Sequence, residues 1–191
     1  MSGNDSKGTR AQGKVKSIRP MRVFLSEDAF MDLLLSSAEV FKKESLGYLL
    51  GYRLEDRFII EHAFSLQTAR RKRRGVVFHH RAHKKIEPIL AKFEKLQIVG
   101  DFHSHTPYGE EKGIPVPSPE DMEGMETENL YLIIAINDLL HSRTWKENRD
   151  GSISGSVGDF FFKISAYFCP DVKSVPLRAR IYCPFPPGLN Y

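Results

Sequence analysis

The residues best placed to do chemistry in this sequence are His103 and His105, two apart, and Asp121 a short way downstream. A spacing of i and i+2 suits a strand, in which alternate side chains point to one face. The apolar run Leu96 to Phe102 leads into the pair, so two imidazoles are expected side by side where that strand leaves its sheet. Ser118 has the form of a helix N-cap, with Pro119 at the first helical position and Glu120 and Asp121 in the first turn. From there Asp121 can swing back towards the histidines. Two imidazoles and a carboxylate leave one position open on a tetrahedral ion, the arrangement of catalytic rather than structural zinc. Each half of the pattern is common by itself. Close pairs arise by chance among seven histidines, and Ser-x-x-Asp opens many helices.

Hydrolysis at such a centre needs a proton acceptor, usually a carboxylate. Glu44 is the candidate. It stands between a helical pattern and the run Gly47 to Gly51, flanked by Leu46 and Leu49, a setting that would partly desolvate it. By residue type alone it is one of several acidic residues, and a solvated glutamate at a helix end is the other reading.

Taken in order, Glu44-x-x-Gly47-x-Leu49-Leu50-Gly51, His103-Ser104-His105 and Ser118-x-x-Asp121 resemble the signature of the JAMM (MPN-plus) metalloproteases. Tyr131 to Ile136 followed by Arg143-x-Trp145 is similar to that family's later strands, and the resemblance is clear over residues 21–150. It implies an α/β fold: a single MPN-type (cytidine-deaminase-like) domain, a curved, mostly antiparallel sheet flanked by helices. It implies one zinc ion per chain on His103, His105 and Asp121, Glu44 as general base and later proton donor, and Ser118 steadying the oxyanion. The implied reaction is hydrolysis of an isopeptide or peptide bond after the C-terminal tail of ubiquitin or of a ubiquitin-like or sulfur-carrier protein. A DNA-associated JAMM-like protein and a non-catalytic MPN scaffold are the alternatives. One departure stands out: twelve residues, Thr106 to Pro117, separate His105 from Ser118, more than the family's usual spacing. Longer loops cost little closure entropy, so the ligands can still converge. Joining a ligand to the serine, this segment reads as a lid that orders when substrate binds, with a passive connector as the alternative.

The elements that must position these residues follow from periodicity. Met21 to Leu25 reads as a strand and Ser26 to about Lys43 as a helix with Phe30, Leu33, Leu34, Ser37 and Phe41 on one stripe. Gly47 to Tyr52 and Arg57 to Phe64 form a strand pair, Val76 to His79 a strand, and Arg81 to Lys95 a helix with Ile86, Ile89, Leu90 and Phe93 inward. Leu130 to Ile136 is apolar throughout, as in a central strand buried on both faces. Ser142 to Lys146, Phe160 to Phe168 and Leu177 to Cys183 complete the strands, and helices lying between strands indicate a mixed α/β domain.

Composition bounds the rest. A chain of 191 residues supports one sizeable core, expected over 20–191. The net charge of +4 resides in residues 1–20, where Lys7, Arg10, Lys14, Lys16 and Arg19 face only Asp5, and residues 1–19 read as a disordered basic tail. Arg70 to Arg74 is a run of five cations, read either as an exposed loop or as a contact for an acidic protein or nucleic acid, a role the tail could share. His79 and His83 have i, i+4 spacing but no acidic or thiol partner nearby, as in a solvated helix start. Cys169 and Cys183 lie outside any Cys-x-x-Cys spacing and read as packed free thiols of a reducing, cytoplasmic compartment. No apolar run is long enough to span a bilayer, so no membrane contact is expected.

Overall fold

The computed structural model describes residues 20–66, 70–71, 76–77, 80–93, 96–171 and 175–185, and for 70–71, 76–77 and 80–83 the backbone alone. The basic tail 1–19, most of the Arg70–Arg74 run, His79 and the prolines 186 and 187 lie outside the described residues. In chain order the elements are β1 (Arg22–Leu25), α1 (Glu27–Glu39), β2 (Leu46–Arg53), β3 (Arg57–Ser65), β4 (Arg70–Arg71), β5 (Val76–Val77), α2 (His80–Leu90) and β6 (Gln97–His105). Then come α3 (Pro119–Gly124), β7 (Leu130–Asp138), β8 (Lys146–Glu147), β9 (Ile153–Val157), β10 (Phe160–Phe168) and β11 (Leu177–Tyr182).

Among the described residues, nine strands form one sheet in the order β11-β1-β3-β2-β6-β7-β10-β9-β8, and a small separate ladder joins β4 to β5. Pairing is antiparallel except where β1 meets β3 and β11 and where β6 meets β7. The sheet also closes on itself, because β10 forks. Its first half, Phe160 to Ile164, pairs with β9, and its last residues, Ala166 to Phe168, pair with β11. Seven strands thus form a ring, with β9 and β8 flaring from it.

The core lies under α1. Ser26 caps this helix, its hydroxyl accepting from Ala29 N–H at 3.0 Å, and Ala29, Phe30, Leu33 and Leu34 are buried against Val23, Leu49, Phe58 and Ile60. Phe30 meets Trp145 edge to face at 5.0 Å between ring centres. The helix ends at Glu39, not at Lys43: the chain turns away through Lys42, whose φ of 77° is left-handed. β7 is buried from Leu130 to Asn137, as its apolar run requires. On the other side of β2, Leu46, Tyr48 and Leu50 pack with Ile86 and Leu90 of α2.

Some expectations about the elements need correcting. Ile89 and Phe93 are exposed, because only one narrow stripe of α2, Ile86 and Leu90, meets the sheet. Ser142 to Trp145 is not a strand; only Lys146–Glu147 pairs, with β9. β9 itself is a further strand, and its serines hide it, since Ser152, Ser154 and Ser156 at its start and within it are buried. Both cysteines are buried and free, as expected. Among the described residues no helix is long and apolar enough to cross a membrane.

Candidate metal centre

β6 runs between β2 and β7 and carries Asp101, His103 and His105 on one face. It continues through His105, so the pair sits within paired strand: His103 lies opposite Ile133 and His105 opposite Ala135 on β7. Asp121 reaches them from α3. Ser118 is the N-cap, its Oγ accepting from Asp121 N–H at 3.1 Å while Asp121 Oδ2 accepts from Ser118 N–H at 2.7 Å. This capping box fixes the aspartate at the start of the helix and turns its carboxylate to the strand.

Three side chains then converge. The Nε2 atoms of His103 and His105 are 3.0 Å apart, and each lies 3.4 Å from an Asp121 oxygen, His103 facing Oδ1 and His105 facing Oδ2. Ligands about 2.0–2.1 Å from a tetrahedral zinc ion are separated by roughly 3.3 Å, so this donor set fits such an ion. His103 is buried and the other two are partly so. Among the described residues it is the sole group of three or more His, Cys, Asp or Glu residues so arranged.

The electrostatics follow from crowding. Burial opposes the charge of Asp121, but bonds from both imidazoles and from Ser118 N–H outweigh it and hold its carboxyl well below the usual range. Burial also works against a charged His105, yet the Asp121 carboxylate, the Ile114 carbonyl and the Glu44 charge together raise it. Asp101, one strand period before His103, is pushed up to about 8 by burial and by the Asp121 and Glu126 carboxylates.

Glu44 and Ser118 share the space beside these three side chains. A groove of about 600 Å³ is lined by Glu44, His105, Ser118, Asp121, Tyr108 and Ile114, among others. Glu44 lies half-buried just before β2, in the segment next to the histidine strand β6. Two hydrogen bonds tie these segments: Ser104 N–H donates to the Ser45 carbonyl at 3.0 Å, and Ser45 N–H donates to Ser104 Oγ at 2.8 Å. Ser104 is the residue that sequence reasoning passed over. Its signal was a small polar side chain between two histidines, pointing away from their face. Gly47 of the Glu-x-x-Gly pattern has an equally local cause. A Cβ there would stand 2.3 Å from the Phe64 carbonyl oxygen and 2.3 Å from the Phe102 ring.

The long segment 106–117 is fastened rather than loose. Asn137 bonds both backbone groups of Gly113, the Ile114 carbonyl meets His105 Nδ1, and the Tyr167 hydroxyl donates to the Pro115 carbonyl at 2.8 Å. Its tip is a tight turn in which Tyr108 and Glu111 exchange backbone bonds around Gly109, whose φ is +61°. The expectation of a lid that orders on binding therefore narrows to the tip, since residues 113–115 are already pinned to the sheet. The second histidine cluster lies outside the described residues in His79 and in the His83 side chain.

A mostly-sheet α/β domain with a His-His-Asp donor set at the end of a paired strand defines the class. Comparison with known proteins specifies it: the family of prokaryotic homologs of the JAB domain matches residues 26–148. The chain belongs to that family. Among solved structures it is similar to a Desulfitobacterium hafniense protein determined in solution, with a TM-score of 0.57 and 18% identity. That match covers 84% of this chain and 92% of the other, and at this identity it speaks for the fold alone. No curated protein matches.

Proposed function

We propose that this protein is a zinc-dependent metallopeptidase that hydrolyses an isopeptide or peptide bond after the C-terminal tail of ubiquitin or of a ubiquitin-like or sulfur-carrier protein. The observation supporting it is that three donors at near-tetrahedral spacing share one groove with Glu44 and Ser118. His103 and His105, through Nε2, and the Asp121 carboxylate would hold the ion. Bound there, zinc supplies Lewis acidity, polarising a carbonyl and bringing the pKa of water to about 7.

The chain's own groups do the rest. Glu44 accepts the proton of the attacking water and returns it to the amine nitrogen, which must be protonated before the C–N bond breaks. Ser118 uses a lone pair for its N-cap bond, which leaves its hydroxyl proton free to donate to the carbonyl oxygen as charge gathers there. Such a donor contributes about 2–4 kcal/mol to the transition state. An extended tail would lie along the groove wall formed by Tyr108, Ile114 and Val116, all exposed. The Arg70–Arg74 run and the basic tail would add contacts to an acidic partner or to nucleic acid.

A non-catalytic MPN scaffold has no use for this complete set of groups, and the enzyme reading is preferred on that ground. Zinc analysis of the purified protein and incubation with ubiquitin-like fusions test it. Glu44→Gln should retain zinc and lose about 100–10,000-fold in kcat. Near-normal cleavage by Glu44→Gln would assign the base elsewhere, and stoichiometric zinc in a His103→Ala/His105→Ala variant would overturn the metal assignment. Affinity for duplex DNA that falls steeply with salt, without peptidase activity, would favour the DNA-associated alternative.

A further inference from the structure

Asn137 is a buried polar residue for which the proposed chemistry has no use. It lies near the end of β7, in phase with Ile133 and Ala135, the residues opposite the two histidines. Both ends of its amide engage one residue of the long segment. Oδ1 accepts from Gly113 N–H at 2.9 Å, and Nδ2 donates to the Gly113 carbonyl at 3.0 Å. The next carbonyl, that of Ile114, is 2.8 Å from His105 Nδ1. A carbonyl can only accept, so Nδ1 carries the proton and Nε2 of the neutral ring keeps its lone pair. Nε2 is the atom that faces His103 and Asp121.

Two further contacts make this carbonyl a fixed acceptor. The Tyr167 hydroxyl holds Pro115 from the neighbouring strand. Gly113 lies so close to the end of β6 that a Cβ would stand 2.3 Å from the His105 carbonyl oxygen, so only glycine allows the approach.

We propose that Asn137 is a positioning residue for the metal centre: its two-bond clamp on Gly113 holds the Ile114 carbonyl against His105 Nδ1 and so fixes the tautomer and ring orientation that present Nε2 to a metal ion. The inference rests on the metal reading of the site. It gives the lengthened segment a task, supplying the outer partner of one ligand. Loss of such a partner costs 10–100-fold in metal affinity, and Asn137 acts one bond removed from the ring, so about tenfold is expected.

The test uses the full chain and zinc ion, with affinity measured by competition against a chromophoric chelator. Wild type, His105→Ala, Asn137→Leu and Asn137→Asp are compared, with circular dichroism to establish folding. Long-range ¹H–¹⁵N spectra of the zinc-free proteins, recorded at a pH where the His105 ring is neutral, report its tautomer, which a purely structural role would not move. The expected result is binding lost in His105→Ala and about tenfold weaker in Asn137→Leu. Asn137→Asp, which keeps the acceptor for Gly113 N–H, should lose less. His105 should pass from the Nδ1–H form in wild type to a mixture of tautomers in Asn137→Leu. If Asn137→Leu does not fold, Asn137→Asp carries the test by the same two readings. A wild type that binds no zinc overturns the metal reading and this proposal with it. A wild type that binds, with unchanged affinity and tautomer in the folded Asn137 variants, overturns this proposal alone.

Discussion

Ser104→Ala takes one oxygen atom from between the two histidines, and its effect can be worked from the contacts. Ser104 and Ser45 are both fully buried, and the lost oxygen is the acceptor of Ser45 N–H at 2.8 Å. That N–H has no water to turn to, so removal should cost about 1–3 kcal/mol, the desolvation penalty of an orphaned donor. The volume lost is small and adds little. In a domain of this size each kcal/mol moves the melting temperature by about 2–4 °C, giving a fall of roughly 2–12 °C. The measurement is thermal or urea unfolding of chelator-treated protein, because bound metal would stabilise the native state and mask the difference. Thr144→Ala, at an exposed position, serves as the control and should change stability by less than about 0.5 kcal/mol. The same bond ties the Glu44 segment to the histidine strand, so for the proposed hydrolysis kcat should fall further than KM rises. A Ser104→Ala midpoint equal to that of the control would refute the reasoning.

Two further perturbations probe other parts of the fold. Gly47→Ala should destabilise by about 1–3 kcal/mol or more, because one of the atoms its Cβ meets is a backbone carbonyl that has no rotamer to escape to; an unchanged denaturation midpoint would remove the steric account of the Glu-x-x-Gly pattern. At Asp150, burial acts against charge, but bonds from Ser152 and the ion pair with Lys163 outweigh it and hold the carboxyl below the usual range. A depressed folded pKa contributes stability above the unfolded value, about 3.9, and loses it as pH falls further. Asp150→Asn should therefore flatten the fall in stability below about pH 4, and equal pH slopes for variant and parent would count against it.

What could be read in advance had a local cause. The phase of His103 and His105, the capping box at Ser118 and the unbroken apolar run of β7 each follow from a few neighbouring residues. The lower faces of α2 could not be read this way. Its apolar residues fit a helix, but which of them turn inward depends on where the sheet stands, and Ile89 and Phe93 are left outside. β9 was illegible for another reason. Its buried serines are satisfied from afar, Ser154 by the Asn148 side chain and Ser156 by the Arg143 backbone, so a strand within the packed sheet carries the polarity of a loop. Gly155 completes the disguise, since a Cβ there would lie 2.3 Å from the Trp145 ring. The grip of Asn137 on Gly113 joins residues from different elements, and nothing in either neighbourhood announces it.

The ring of strands has a seam, and the seam sets the order in which the molecule can be made. β1 is held on one side by β3, a near neighbour in sequence, and on the other by β11, with Arg22 opposite Arg180. A chain leaving the ribosome can pair β2 with β3 and β6, and lay β7 beside β6, well before β11 has been synthesised. The histidine strand and its flanks thus have their partners while the ring is still open. Closing it demands a contact between distant parts of the chain, the kind that slows folding most. Until then β1 and β10 each present unpaired backbone groups, so the nascent protein carries two open edges during synthesis that the finished ring conceals.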